Sequence, residues 1–169
     1  MKITTRQLAL CAVLTALALG LSTLENLFPV TLFIPLPGVK LGLANIVTVF
    51  ALYQLGPLPA LCILAARCLL GSLFAGNASA MLFSLLGGLT AMLVMIALHA
   101  LPRLSVYGVS VGGAAAHNCG QVAAAMLTLG TAAPLAYLPF LLLVSVFTGA
   151  LTGFVAALLF RAMRHARAK

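Results

Sequence analysis

Apolar side chains along this chain come in long unbroken runs, with neither the alternation of a half-buried strand nor the narrow stripe of a soluble amphipathic helix. Six such runs predict six helices, at about residues 8–27, 41–55, 58–74, 78–101, 109–129 and 135–163. A membrane span needs about 20 apolar residues, so the second and third runs are marginal and are expected to be tilted or partly broken. Gly42 and Asn45 interrupt the second. The junctions carry turn residues: Gly56-Pro57, Asn77, Pro102 and Pro134. Between the first two runs, Pro29–Lys40 (PVTLFIPLPGVK) holds three prolines, which predicts an extended loop.

Composition sharpens this to an all-α, polytopic membrane protein, with residues 1–169 forming a single integral membrane domain. Of the 169 residues, 64% are hydrophobic and only 6% charged, too few charges for the surface of a soluble domain. The first run follows Lys2 and Arg6 and contains Ala16-Leu17-Ala18, as a signal peptide would, but stays apolar to Phe28, which predicts a retained span. Seven of the nine Lys and Arg side chains (Lys2, Arg6, Arg103, Arg161, Arg164, Arg167 and Lys169) fall on one side of a six-span arrangement. The positive-inside rule then places both termini in the cytoplasm of a cell whose inner membrane holds the protein, with Lys40 outside. The net charge of +8 is confined to loops and ends, so it marks membrane orientation and no nucleic-acid surface.

Candidate chemistry centres on Arg67, which lies midway along Pro57–Ala75, at the depth of the bilayer midplane. An arginine there costs roughly 2.5–3.5 kcal/mol on insertion scales, which marks it either as a binding site for an anion or as a packing element bonded to neighbouring helices. In the fifth run His117 and Gln121 share a face at i, i+4, with Asn118 adjacent. Lys40, Asn45 and Thr48 follow the proline-rich loop, and Ser145, Thr148 and Thr152 recur along the sixth run. A small-molecule pocket is expected from Arg67, His117, Asn118, Gln121, Asn45 and Lys40, opening outward beneath the loop and suited to a carboxylate or phosphate. The alternative is a polar network that only fixes helix packing.

Other residue types narrow the function. Glu25 is the single acidic residue, so no carboxylate pair for metal or acid–base work and no Ser–His–Asp set can be assembled, and no phosphate loop of the GxxxxGKS/T type is present. An enzyme acting alone is not expected, nor a metal site, nor a cofactor. The cysteines Cys11, Cys62, Cys68 and Cys119 form no CxxC pair and read as small core residues. Ala12, Ala16 and Gly20 stack at four-residue spacing into a flat groove for another helix, either a partner's or one of the chain's own; Gly149xxxGly153 carries the same ambiguity.

The stretches PLPGVKLGLANIVTVFALY (35–53), RCLLGSLFAGN (67–77), FSLLGGLTA (83–91) and SVGGAAAHNCGQ (110–121) together resemble the Gx transporter family, also called heptaprenyl diphosphate synthase component I. In architecture that family is similar to the substrate-binding S components of energy-coupling-factor (ECF) transporters. The resemblance implies a six-helix bundle with a substrate site under the loop between the first two helices. It implies that Ala12, Ala16 and Gly20 dock on a transmembrane coupling subunit driven by ATPases. Uptake of a small anionic or amphiphilic substrate is the expected function. The component I name implies instead a non-catalytic membrane partner of a prenyl diphosphate synthase.

Overall fold

The computed structural model describes residues 4–27, 42–76 and 78–167. The described residues form six α-helices: α1 (Thr5–Leu27), α2 (Asn45–Leu55), α3 (Pro57–Ala75), α4 (Ala78–His99), α5 (Val106–Leu129) and α6 (Leu138–Arg167), the last preceded by a short 3-10 turn over Ala133–Tyr137. Each of the six runs holds a helix, the second only from Asn45 and the fourth only to His99. The proline-rich loop, Lys40 and Asn77 lie outside the described residues.

Four stretches are long and apolar enough to cross a membrane: Thr5–Glu25, Pro57–Phe74, Ala78–His99 and Ala133–His165. The count of six spans is not reproduced, for two separate reasons. The second helix begins only at Asn45 and has 11 residues, about 16 Å of rise, or half a hydrocarbon core. The fifth is long, with 24 residues, but glycines and the His117–Gln121 segment dilute its apolar character.

The short helix lies inside the bundle. α2 packs on α1, α3, α4 and α6, and Asn45–Val49, Ala51 and Leu52 are all buried. Its apolar side chains join Leu14 and Ala18 of α1, Ile63 and Leu64 of α3, and Met92 and Met95 of α4 in one core. α5 runs between α4 and α6 and buries residues on two faces. Enclosure removes the need of α2 for a lipid-facing surface, while α5 buries His117, Asn118 and Gln121 and leaves Cys119, Ala123 and Leu127 exposed.

α2 and α3 meet at Gly56, whose φ of +90° is open to glycine and strained for other residues; Pro57 then opens α3, where its missing N–H costs nothing. Ser105 caps α5 by accepting a bond from the Gly108 amide at 3.4 Å. α5 lies antiparallel to both neighbours: Gly120 meets Leu86 and Thr90 while Gly113 meets Met95, and on the other side Gly149 meets Val111 while Gly153 meets Tyr107. The Gly149xxxGly153 ladder is thus used internally, against the backbone of α5. Ala12, Ala16 and Gly20 are exposed, and α1 packs on its own bundle through Leu14, Ala18 and Leu19.

A Cβ on residue 149 would fall 2.5 Å from the Val111 Cα, whereas one on residue 20 meets nothing within 4 Å. Gly149→Ala should therefore destabilise the protein by about 1–3 kcal/mol, and Gly20→Ala should leave it unchanged or slightly more stable. Unfolding titrations in mixed detergent micelles would show the difference.

Candidate functional site

The middles of three helices meet the first residue of a fourth. Arg67 lies halfway along α3, Gly87-Gly88 halfway along α4 and His117 halfway along α5; Asn45 opens α2. Arg67 is 7% exposed, and its Nη2 donates to Asn45 Oδ1 at 3.4 Å, a long and weak bond. Among the described residues Arg67 Nε is buried with no hydrogen-bond partner. His117 and Gln121, also buried, approach at 3.0 Å between their Nε2 atoms.

Two glycines make room for this meeting. A Cβ on Gly88 would lie 2.7 Å from Leu64 Cδ1 and 3.5 Å from Arg67 Nη2. One on Gly87 would lie 3.0 Å from both Gln121 Cγ and His117 Cε1. Helix α4 is therefore a bare backbone wall, with α3 bringing Arg67 to one side and α5 bringing the His117–Gln121 pair to the other. Each mid-helix glycine costs roughly 1 kcal/mol in helix propensity, a cost offset only where close approach is needed.

Glu25 completes the cluster from the last turn of α1. It is 4% exposed, and its carboxylate accepts the amides of Gly42 at 2.5 Å and Leu43 at 3.2 Å. Those amides belong to the turn that opens α2, in which Asn45 N bonds to Gly42 O at 2.8 Å. Gly42 has φ +83°, and a Cβ there would sit 2.9 Å from Asn45 Nδ2 and 3.4 Å from His117 Cδ2. Glu25 is joined to Arg67 through this turn, because Asn45 at its end accepts the bond from Arg67 Nη2. The only carboxylate side chain in the protein thus lies beside the turn that meets the buried arginine, with its oxygens bonded to backbone amides.

The remaining expected site residues separate. Asn118 faces the other way and donates from Nδ2 to the Leu141 carbonyl of α6 at 2.7 Å, so its amide ties two helices together. Thr48, Ser145, Thr148 and Thr152, polar positions outside the expected pocket, each bond back to a carbonyl of their own helix. Lys40 lies outside the described residues. Glu25, Gly42 and the Gly87-Gly88 pair are the members that the sequence reading did not place in the site. The doubled glycine inside an apolar run, and a lone acid at the end of one, were the signals for them.

The sequence profile described as heptaprenyl diphosphate synthase component I matches residues 14–159, a stretch containing every member of this cluster. The chain belongs to that family. No curated protein and no solved structure matches it. This component I protein is therefore an all-helical membrane protein whose buried polar cluster lies within the matched region.

Glu25 and Arg67 are both buried and are linked through the turn that opens α2. Glu25→Gln and Arg67→Met should each destabilise the protein by about 3 kcal/mol, and the double variant by clearly less than their sum. Unfolding midpoints of the four proteins give the coupling energy; additive losses would show that the two charges act independently.

Proposed function

We propose that this protein is a non-catalytic membrane subunit that associates with a prenyl diphosphate synthase. The family match supports the association. The commitment of Glu25 carries the non-catalytic part. Handling a magnesium-bound diphosphate needs several carboxylates facing a common space. This chain has one acidic side chain, and that carboxylate is buried against the Gly42 and Leu43 amides. The catalytic groups then belong to the partner, and this chain supplies a place at the membrane. A soluble synthase would meet it at the basic end, where Arg103, Arg161 and Arg164 gather with the C-terminal ends of α4 and α6. By the positive-inside rule this end faces the cytoplasm of a cell bounded by the inner membrane.

Arg67 favours a second reading, as the S-component-like binding subunit of an uptake system. Its guanidinium is buried with one long hydrogen bond and an unpartnered Nε, which leaves donors for a planar anion such as a carboxylate. Asn45, His117 and Gln121 would add direction. The exposed Ala12, Ala16 and Gly20 would then dock α1 on a coupling subunit served by ATPases.

Affinity purification from native membranes in mild detergent, with mass spectrometry of the co-purifying proteins, separates the two. Recovery of a soluble prenyl synthase is expected. Recovery of a transmembrane coupling subunit with ATPases would replace the first reading by the second. In that case Ala12→Leu with Ala16→Leu should abolish the complex.

A further inference from the structure

The basic end of the bundle contains a cavity separate from the buried cluster. It has a volume of about 260 Å³ and is lined by Tyr53 and Gln54 from the end of α2 and by Phe160, Met163 and Arg164 from α6. Its depth follows from the fold. α2 starts at the level of Arg67, midway along α3, and rises about 16 Å, so it stops at the edge of the hydrocarbon. α6 runs on to Arg167. The notch between a helix that stops and one that continues lies at headgroup depth.

Its wall is built of rings. Tyr53 packs on His99 with centroids 4.2 Å apart and on Phe160 at 5.5 Å, and Phe160 stacks on Phe50 at 5.5 Å. Three helices are joined by these contacts, so the cavity has firm sides. One part of the lining is apolar, from Phe160 and Met163. The other part is polar, and neither the Gln54 amide nor the Arg164 guanidinium has a side-chain hydrogen bond to another described residue. An apolar wall beside a free cationic fork at this depth matches an amphiphile with a phosphate head.

We propose that this cavity binds the head of a phosphate-bearing membrane amphiphile. The phosphate sits on Arg164 and Gln54, and the start of its chain lies along Phe160 and Met163. The negative end of the α2 dipole opposes an anion here, so the site depends on Arg164 and not on the helix end. The inference does not rest on the synthase association, because it concerns the purified chain alone.

Native mass spectrometry of the full-length protein in detergent, titrated with dioleoyl phosphatidic acid, tests it. One tightly held lipid is expected, bound about tenfold more weakly by Arg164→Gln and unaffected by Arg161→Gln, which removes a neighbouring charge outside the cavity. Gln54→Leu, which leaves the charge unchanged, should weaken binding about threefold. Equal weakening by Arg161→Gln would show diffuse attraction and overturn the site. So would equal binding of phosphatidylcholine. Displacement of the lipid by inorganic phosphate at matching concentration would mean a site for a free anion, and would overturn the amphiphile.

Discussion

The carboxylate of Glu25 on the amides of Gly42 and Leu43 is the contact on which the interior depends. A helix that begins inside a bundle leaves N–H groups without intrahelical partners, and no water is at hand to take them. α2 begins in that situation, at the depth of Arg67. Glu25 supplies the missing acceptors, and its charge meets the positive end of the α2 dipole. With α2 seated, Asn45 faces Arg67, and the Gly42 turn lies against His117. Without that carboxylate, the Gly42 and Leu43 amides would lose the acceptor they have in the interior.

This arrangement changes the meaning of the intramembrane arginine. Half-helix N-termini at the middle of a bilayer commonly face an anion brought by a ligand. Here the anion is part of the chain. Arg67 shares its cluster with a carboxylate yet is short of hydrogen bonds, because the Glu25 oxygens are bonded to backbone amides while the guanidinium has only a long contact with Asn45. A carboxylate committed within the chain suits a permanently closed interior; spare donors suit a guest. The association reading draws on the first property and the uptake reading on the second.

Much of this was legible in the sequence. The long apolar runs gave the helices, and the insertion cost of Arg67 singled out the residue at the centre of the polar cluster. Spacing of four brought His117 and Gln121 together, as found. Asn118 is one residue on, about 100° around the helix, and the same geometry turns it towards α6. Two things were not readable from spacing. Gly149xxxGly153 packs inside while Ala12, Ala16 and Gly20 face out, although both are ladders of small residues: the environment decides, and it is set by the order of helices around the bundle. Glu25 gave no sign that its partners would be backbone amides 17 and 18 residues away. The shortness of α2 was legible, since Gly42 and Asn45 interrupt the second run and the helix begins at Asn45.

The polarity of α5 has a consequence for how the protein is made. Its glycines and its His117, Asn118 and Gln121 gain little from lipid, so the segment has a weak claim to enter a bilayer by itself. Its groups become acceptable only against others: Gly113 and Gly120 against α4, Asn118 against the Leu141 carbonyl of α6. The first of those surfaces is synthesised before α5 and the second after it. The two surfaces that accept the polar side of α5 thus come from its immediate neighbours in the chain, one on either side of it in sequence.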